Sequence, residues 1–101
     1  MHSAYLHIGN GETVTTRDVI GIFDMDTATV SPVTRSFLAK AQRDGRVDAA
    51  LEANGIPKSF VVCHEKDGNI RVYISQISSV TLKKRAGFVD GLSNIPIPKR
   101  Q

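Results

Sequence analysis

Hydrophobic spacing along the chain switches between two periods, and the switches mark its elements. In "YLHIGNGETVTT", Leu6 and Ile8 take one face and Tyr5 and His7 the other, the alternation of a half-buried strand. Asn10-Gly11 supplies the two positive-φ positions of a type I′ turn, so a hairpin is expected over residues 4–9 and 12–16. Thr16 can cap a short turn, "TRD". "VIGIFD", Val19 to Asp24, is apolar almost throughout, which predicts a central strand covered on both faces. A second hairpin follows in "SFVVCHEKDGNIRVYIS". There Ile70, Val72 and Ile74 oppose Arg71, Tyr73 and Ser75, with Asp67-Gly68 in the turn.

The helical period is clearest in "SPVTRSFLAKAQRDG". Ser31 fits the N-cap, Pro32 the first helical position and Gly45 the stop. Val33, Phe37, Leu38 and Ala41 form the expected core stripe, with Arg35, Lys40 and Arg43 off it. "RVDAALEAN" is compatible with a helix or a short edge strand. "SSVTLKKRA" predicts a short helix capped by Ser78 or Ser79. From Gly87 onward no period is sustained, and a flexible tail over 87–101 is expected. The class is therefore α+β: a small, mostly antiparallel sheet of two hairpins plus a central strand, one main helix and a short C-terminal helix. One domain over residues 1–86 is expected.

At 101 residues the chain hides only roughly 60–70% of the surface its unfolded form exposes, so self-association would help its stability. No run approaches ~18 apolar residues, and the N-terminus lacks the regions of a signal peptide. Cys63, the single cysteine, cannot form an internal disulfide, and a buried thiol in a reducing cytoplasm is expected. Charge is uneven. Residues 1–54 hold five Lys/Arg and seven acids, a balance of −2, while residues 55–101 hold eight and three, a balance of +5. A basic half suggests a polyanionic partner.

Asp24 and Asp26 end the apolar strand one residue apart, which resembles the first motif of the haloacid dehalogenase-like phosphatases. That chemistry also needs further acids to hold Mg²⁺ and a parallel sheet converging on the site. The chain offers neither, and Thr27 and Ala28 depart from the motif. The pair therefore reads as the polar exit of a strand, and no enzyme is expected. His2, His7 and His64 do not form a metal spacing, so neither metal nor other cofactor is expected.

Four stretches taken together, "YLHIG", "DVIGIFDMDTATVSPVTRSFL", "PKSFVV" and "VYISQISSVTLKKRA", resemble in order and spacing the Rem family, the regulators of extracellular matrix. The likeness covers residues 4–86 and is closer to the RemB-type branch than to the RemA-type branch. It implies a bacterial DNA-binding regulator of biofilm matrix genes, a ring-shaped homo-oligomer and a fold like the LytTR DNA-binding domains. In the RemA-type branch a pair of arginines before the last hairpin contacts DNA; the matching positions here are Ile56 and Pro57, which carry no charge.

The candidate contacts to double-stranded DNA are therefore Lys58, in the loop "NGIPKS", the run Lys83, Lys84 and Arg85, and Arg71. The run could instead complement the dipole of its own helix, and Arg71 could pair with Glu65 across the hairpin. Arg43 and Arg46, flanking the end of the main helix, are candidates for a subunit contact. A rival reading is a protein-interaction module that modulates or co-assembles with a RemA-type paralogue and binds DNA weakly.

Overall fold

The computed structural model describes residues 5–87. His2 and all of the expected tail after Gly87 lie outside the described residues. In chain order the elements are β1 (Tyr5–Gly9), β2 (Glu12–Thr15), a 3-10 turn (Thr16–Asp18), β3 (Val19–Asp24), α1 (Met25–Ala28), α2 (Pro32–Arg43), β4 (Val47–Ala50), β5 (Ser59–His64), β6 (Ile70–Ser75) and α3 (Ser79–Ala86). β1 and β2 form a separate two-stranded sheet, and the other four strands are ordered β3-β5-β6-β4. Every pairing is antiparallel except β4 with β6. The α+β class holds, with six strands in place of about five.

Local chemistry sets most boundaries. Asn10 and Gly11 both take positive φ, 51° and 75°, as a type I′ turn requires. The Ser31 hydroxyl accepts the Thr34 N–H at 3.4 Å, and Pro32 opens α2. The Ser78 hydroxyl accepts the Thr81 N–H at 3.2 Å, and Gly87 closes α3 at φ 83°. At the 3-10 turn the expected cap moves: Thr15 holds the N-cap position, and its side chain makes no cap bond. The ambiguous "RVDA" resolves as an edge strand, because the Val72 N–H donates to the Arg46 carbonyl at 2.8 Å and starts a parallel ladder from Val47.

Two expectations about burial are corrected. β3 is an edge strand with β5 as its one described neighbour, and Ile20 and Phe23 are 49% and 41% exposed. Its apolar run serves two different surfaces. Ile22 enters the core on one face, while the Phe23 ring folds over Gly21, where a Cβ would lie 2.6 Å from it, and stacks on Phe60 at 5.2 Å. The α2 stripe is only partly buried: Ala41 is covered and Leu38 half-covered, but Val33 is 78% exposed and Phe37 38%. The cause is placement. α2 packs on β4 and β6, so its first turns overhang the β3 side of the sheet without covering it.

The core lies on both faces of the four-stranded sheet. On the α2 face Ala41 packs with Phe60, Val62 and Val72. On the other, Ile22, Val61 and Cys63 meet Leu6, Ile8 and Val14 of the hairpin and Leu82 and Ala86 of α3. Ser59 and Ser75, both fully buried, join the pieces there. The Ser75 hydroxyl donates to the Ile8 carbonyl at 2.7 Å and accepts the Ile77 N–H at 3.0 Å. The Ser59 hydroxyl donates to the Ile77 carbonyl at 2.7 Å. Removing one hydroxyl strands buried polar groups, so Ser75→Ala is expected to cost about 1–3 kcal/mol in urea unfolding. A change within error of zero would show that the node is dispensable.

Candidate nucleic-acid interface

Asp24 ends β3 beside Lys58. It pairs with Ser59 at the start of β5, and the Met25 N–H donates to the Lys58 carbonyl at 2.9 Å. Lys58 therefore borders the exit of β3. Lys83 lies in the last turn of α3, a helix that packs against β1 and β3. Two candidates far apart in sequence thus lie on segments that both adjoin β3. Lys84 and Arg85 follow on α3, and all three cations of the run are exposed. The Arg85 guanidinium donates to the His7 carbonyl at 3.4 Å. Lys58, Lys83 and Lys84 form no ion pair with any described acid.

Arg71 sits elsewhere, on β6 opposite Cys63, with its charge already countered. Its Nε donates to Glu65 at 2.9 Å, and its Nη1 lies 3.3 Å from Asp48 and 3.4 Å from the Gly45 carbonyl. The cross-strand pair with Glu65 anticipated above is present. Arg46 joins this network, 3.7 Å from Glu65 and 3.3 Å from the Ile70 carbonyl, whereas Arg43 is exposed at the end of α2.

Asp24 itself is a cap. Its carboxylate accepts the Thr27 N–H at 2.8 Å and the Thr27 hydroxyl at 3.1 Å, and these bonds hold its pKa below the usual carboxylate value. Asp26 lies exposed in α1. Among the described residues no three His, Cys, Asp or Glu side chains converge on a metal-sized site. An open hollow of about 1020 Å³ between the β1-β2 hairpin and the end of β5 has a rim of mixed sign, Arg17 and Lys66 against Asp18, Glu65 and Asp67. Cys63 lines it, and burial pushes its thiol up to about 11, which leaves a poor nucleophile.

Sequence reading missed the buried serine node and the packing of α3 against β3, the strand whose exit Lys58 borders. Both depend on pairing between distant segments. The serines of "PKSF" and "YISQ" carried the available signal, as small polar residues inside apolar strands.

Fold and site together define a small α+β protein with an exposed basic border, and comparison with known proteins identifies its kind. No family model matches the chain. It is 41% identical over 85 residues to the Extracellular matrix regulatory protein B of Bacillus subtilis (strain 168), a match covering 84% of this chain and 93% of that protein. The chain belongs to the Rem family. Within it, the match places the chain in the RemB-type branch.

Because the folded pKa of Asp24 is depressed, its cap stabilises above the ordinary value of 3.8 and loses effect as pH falls through the folded value. Asp24→Ala should lower Tm at neutral pH, and the gap from the unaltered protein should close in acid. A gap that persists unchanged in acid would contradict this role.

Proposed function

We propose that this chain is a double-stranded DNA-binding regulator of extracellular matrix genes that acts in the cytoplasm as a homo-oligomer. The regulatory role rests on kinship with a protein named for extracellular matrix regulation. The DNA role rests on one observation: Lys58, beside the exit of β3, and Lys83 and Lys84, on the helix packed against β3, stand exposed and unpaired with described acids, with Arg85 next on that helix. Cations of this kind release counterions when they meet phosphates, which gives affinity without reading bases. Arg71 drops out of the contact set because Glu65 and Asp48 hold it. Arg43, exposed at the end of α2, and Arg46 behind it are the candidates for subunit contact. No step of this reading involves catalysis, a metal or another cofactor.

A second reading has its own support. Ile56, which stands where the RemA-type branch carries a DNA-contacting arginine, is 71% exposed. An apolar residue at that loop tip suits a protein partner, such as a RemA-type paralogue, better than a phosphate.

Fluorescence anisotropy with matrix-promoter and control duplexes over a salt series separates the two. Log K should fall by about 0.9 per phosphate contact for every tenfold rise in salt. Lys83→Ala/Lys84→Ala/Arg85→Ala should flatten that slope by about 2–3, since it removes three cations. Arg71→Ala should leave the slope unchanged while lowering Tm. Absence of binding at low salt, with recovery of a paralogue in a pull-down, would favour the second reading. A folded triple variant that binds as well as the parent would move the DNA site elsewhere.

A further inference from the structure

The four-stranded sheet ends in two open edges, β3 on one side and β4 on the other, and no described strand meets either. On β3 the Met25 N–H is turned toward Lys58, and antiparallel bonding alternates, so Phe23 and Gly21 are also turned toward β5. The backbone groups of Ile22 and Asp24 then point outward. On β4 the Arg46 carbonyl accepts the Val72 N–H, so Arg46, Asp48 and Ala50 are turned toward β6, and the backbone groups of Val47 and Ala49 point outward. Beside β3 a groove of about 310 Å³, lined by Ile20, Phe23, Val33 and Phe37 among others, leaves apolar surface uncovered. Edges of this kind invite strand addition unless something covers them.

We propose that the two edges cover each other between copies of this chain, the β4 edge of one copy adding to the β3 edge of the next as a parallel strand. The proposal rests on the homo-oligomer part of the reading above and names its contact. It is independent of the DNA part.

Direction and facing both fit. β3 and β6 run antiparallel to β5, and β4 runs parallel to β6, so β3 and β4 point the same way. Copies set side by side with the same face outward therefore meet in a parallel ladder. With Ile22 abreast of Asp48 of the next copy, the Ile22 N–H donates to the Val47 carbonyl and the Ala49 N–H donates to the Ile22 carbonyl. One step on, the Asp24 N–H donates to the Ala49 carbonyl. The side chains agree with this register. Ile22 and Ala50 belong to the core on the hairpin face, and Asp48 shares the face of Ala50 by alternation. Phe23 and Ala49 of the next copy then share the α2 face, where the small, exposed Ala49 closes one side of the groove.

Charge selects the register. A slip of one residue turns every side chain to the wrong face. A slip of two sets Asp24 against Asp48 or against Glu52, both like-charge contacts, whereas the chosen register sets it against Ala50. Asp48, abreast of Ile22, is already countered by Arg71. Arg43 and Arg46, which precede β4, come to the end of β3 that carries Asp18, an opposite charge. Two β3 edges paired antiparallel about Ile22 fit less well: they leave both β4 edges open and bring Asp26 of one copy toward Asp18 of the other. Because the two edges differ, the contact is heterologous and continues past a dimer.

Light scattering and amide hydrogen exchange on the full chain, without DNA, test it. The parent should have a mass above that of a dimer, and its Ile22, Asp24 and Ala49 amides should be protected. Ala49→Pro removes a donor that the β4-β6 ladder does not use, and Ala49→Lys places a charge on the edge. Both should reduce the mass to that of one chain and speed exchange at Ile22 by about tenfold or more, with Val61 and Val72 amides unchanged. If Ala49→Pro fails to fold, Ala49→Lys carries the test. A monomeric parent would overturn both the contact and the homo-oligomer reading. A parent assembly that survives both variants would overturn the contact alone, as would a strict dimer, which would assign the interface to paired β3 edges or another surface.

Discussion

The buried pair Ser59 and Ser75 is the constraint on which the rest of the structure depends. The β1-β2 hairpin shares no strand ladder with the four-stranded sheet, so apolar contact alone would let it slide. The Ser75 hydroxyl fixes it by donating to Ile8, and the same oxygen takes the Ile77 N–H. Ser59 takes the other side of that peptide unit's residue, at the Ile77 carbonyl. Ile77 precedes the Ser78 cap, so the node sets where α3 begins. A buried hydroxyl without partners costs free energy, and here each has them, which makes one docking of hairpin and helix preferable to its neighbours.

That docking has a functional consequence. α3 lies across β1 and β3 with Leu82 and Ala86 inward, and its remaining face carries Lys83, Lys84 and Arg85 outward. The register of β3 against β5 brings Lys58 to the exit of the strand on which α3 packs. Acids balance the cations of the opposite end, where Glu65 and Asp48 hold Arg71. The uneven charge of the sequence thus becomes a spatial separation: a neutralised end and a basic border.

Much of the fold was legible because local rules and tertiary structure agree. The two turns, the Ser31-Pro32 helix start and the Ser78 cap need only neighbouring residues. Where reading failed, distant segments decided. Val19 to Phe23 looks central because apolar density does not reveal which side of a strand lies open. Val33 and Phe37 have the period of a core stripe, but α2 is too far toward β4 to bury them. The same limit applies to the site. The cation run was visible as a run, whereas the packing of its helix on β3, and the acids that hold Arg71, follow from contacts between distant segments.

The central claim is that the border of Lys58, Lys83, Lys84 and Arg85 is the surface that meets DNA. Titrating a short promoter duplex into isotope-labelled protein and following its backbone amide signals tests this most directly. The account predicts low-salt shifts concentrated at Lys58 and residues 83–87, fading as salt rises, with α2 and β4 little changed. Shifts centred on residues 40–48, or none at low salt, would contradict it.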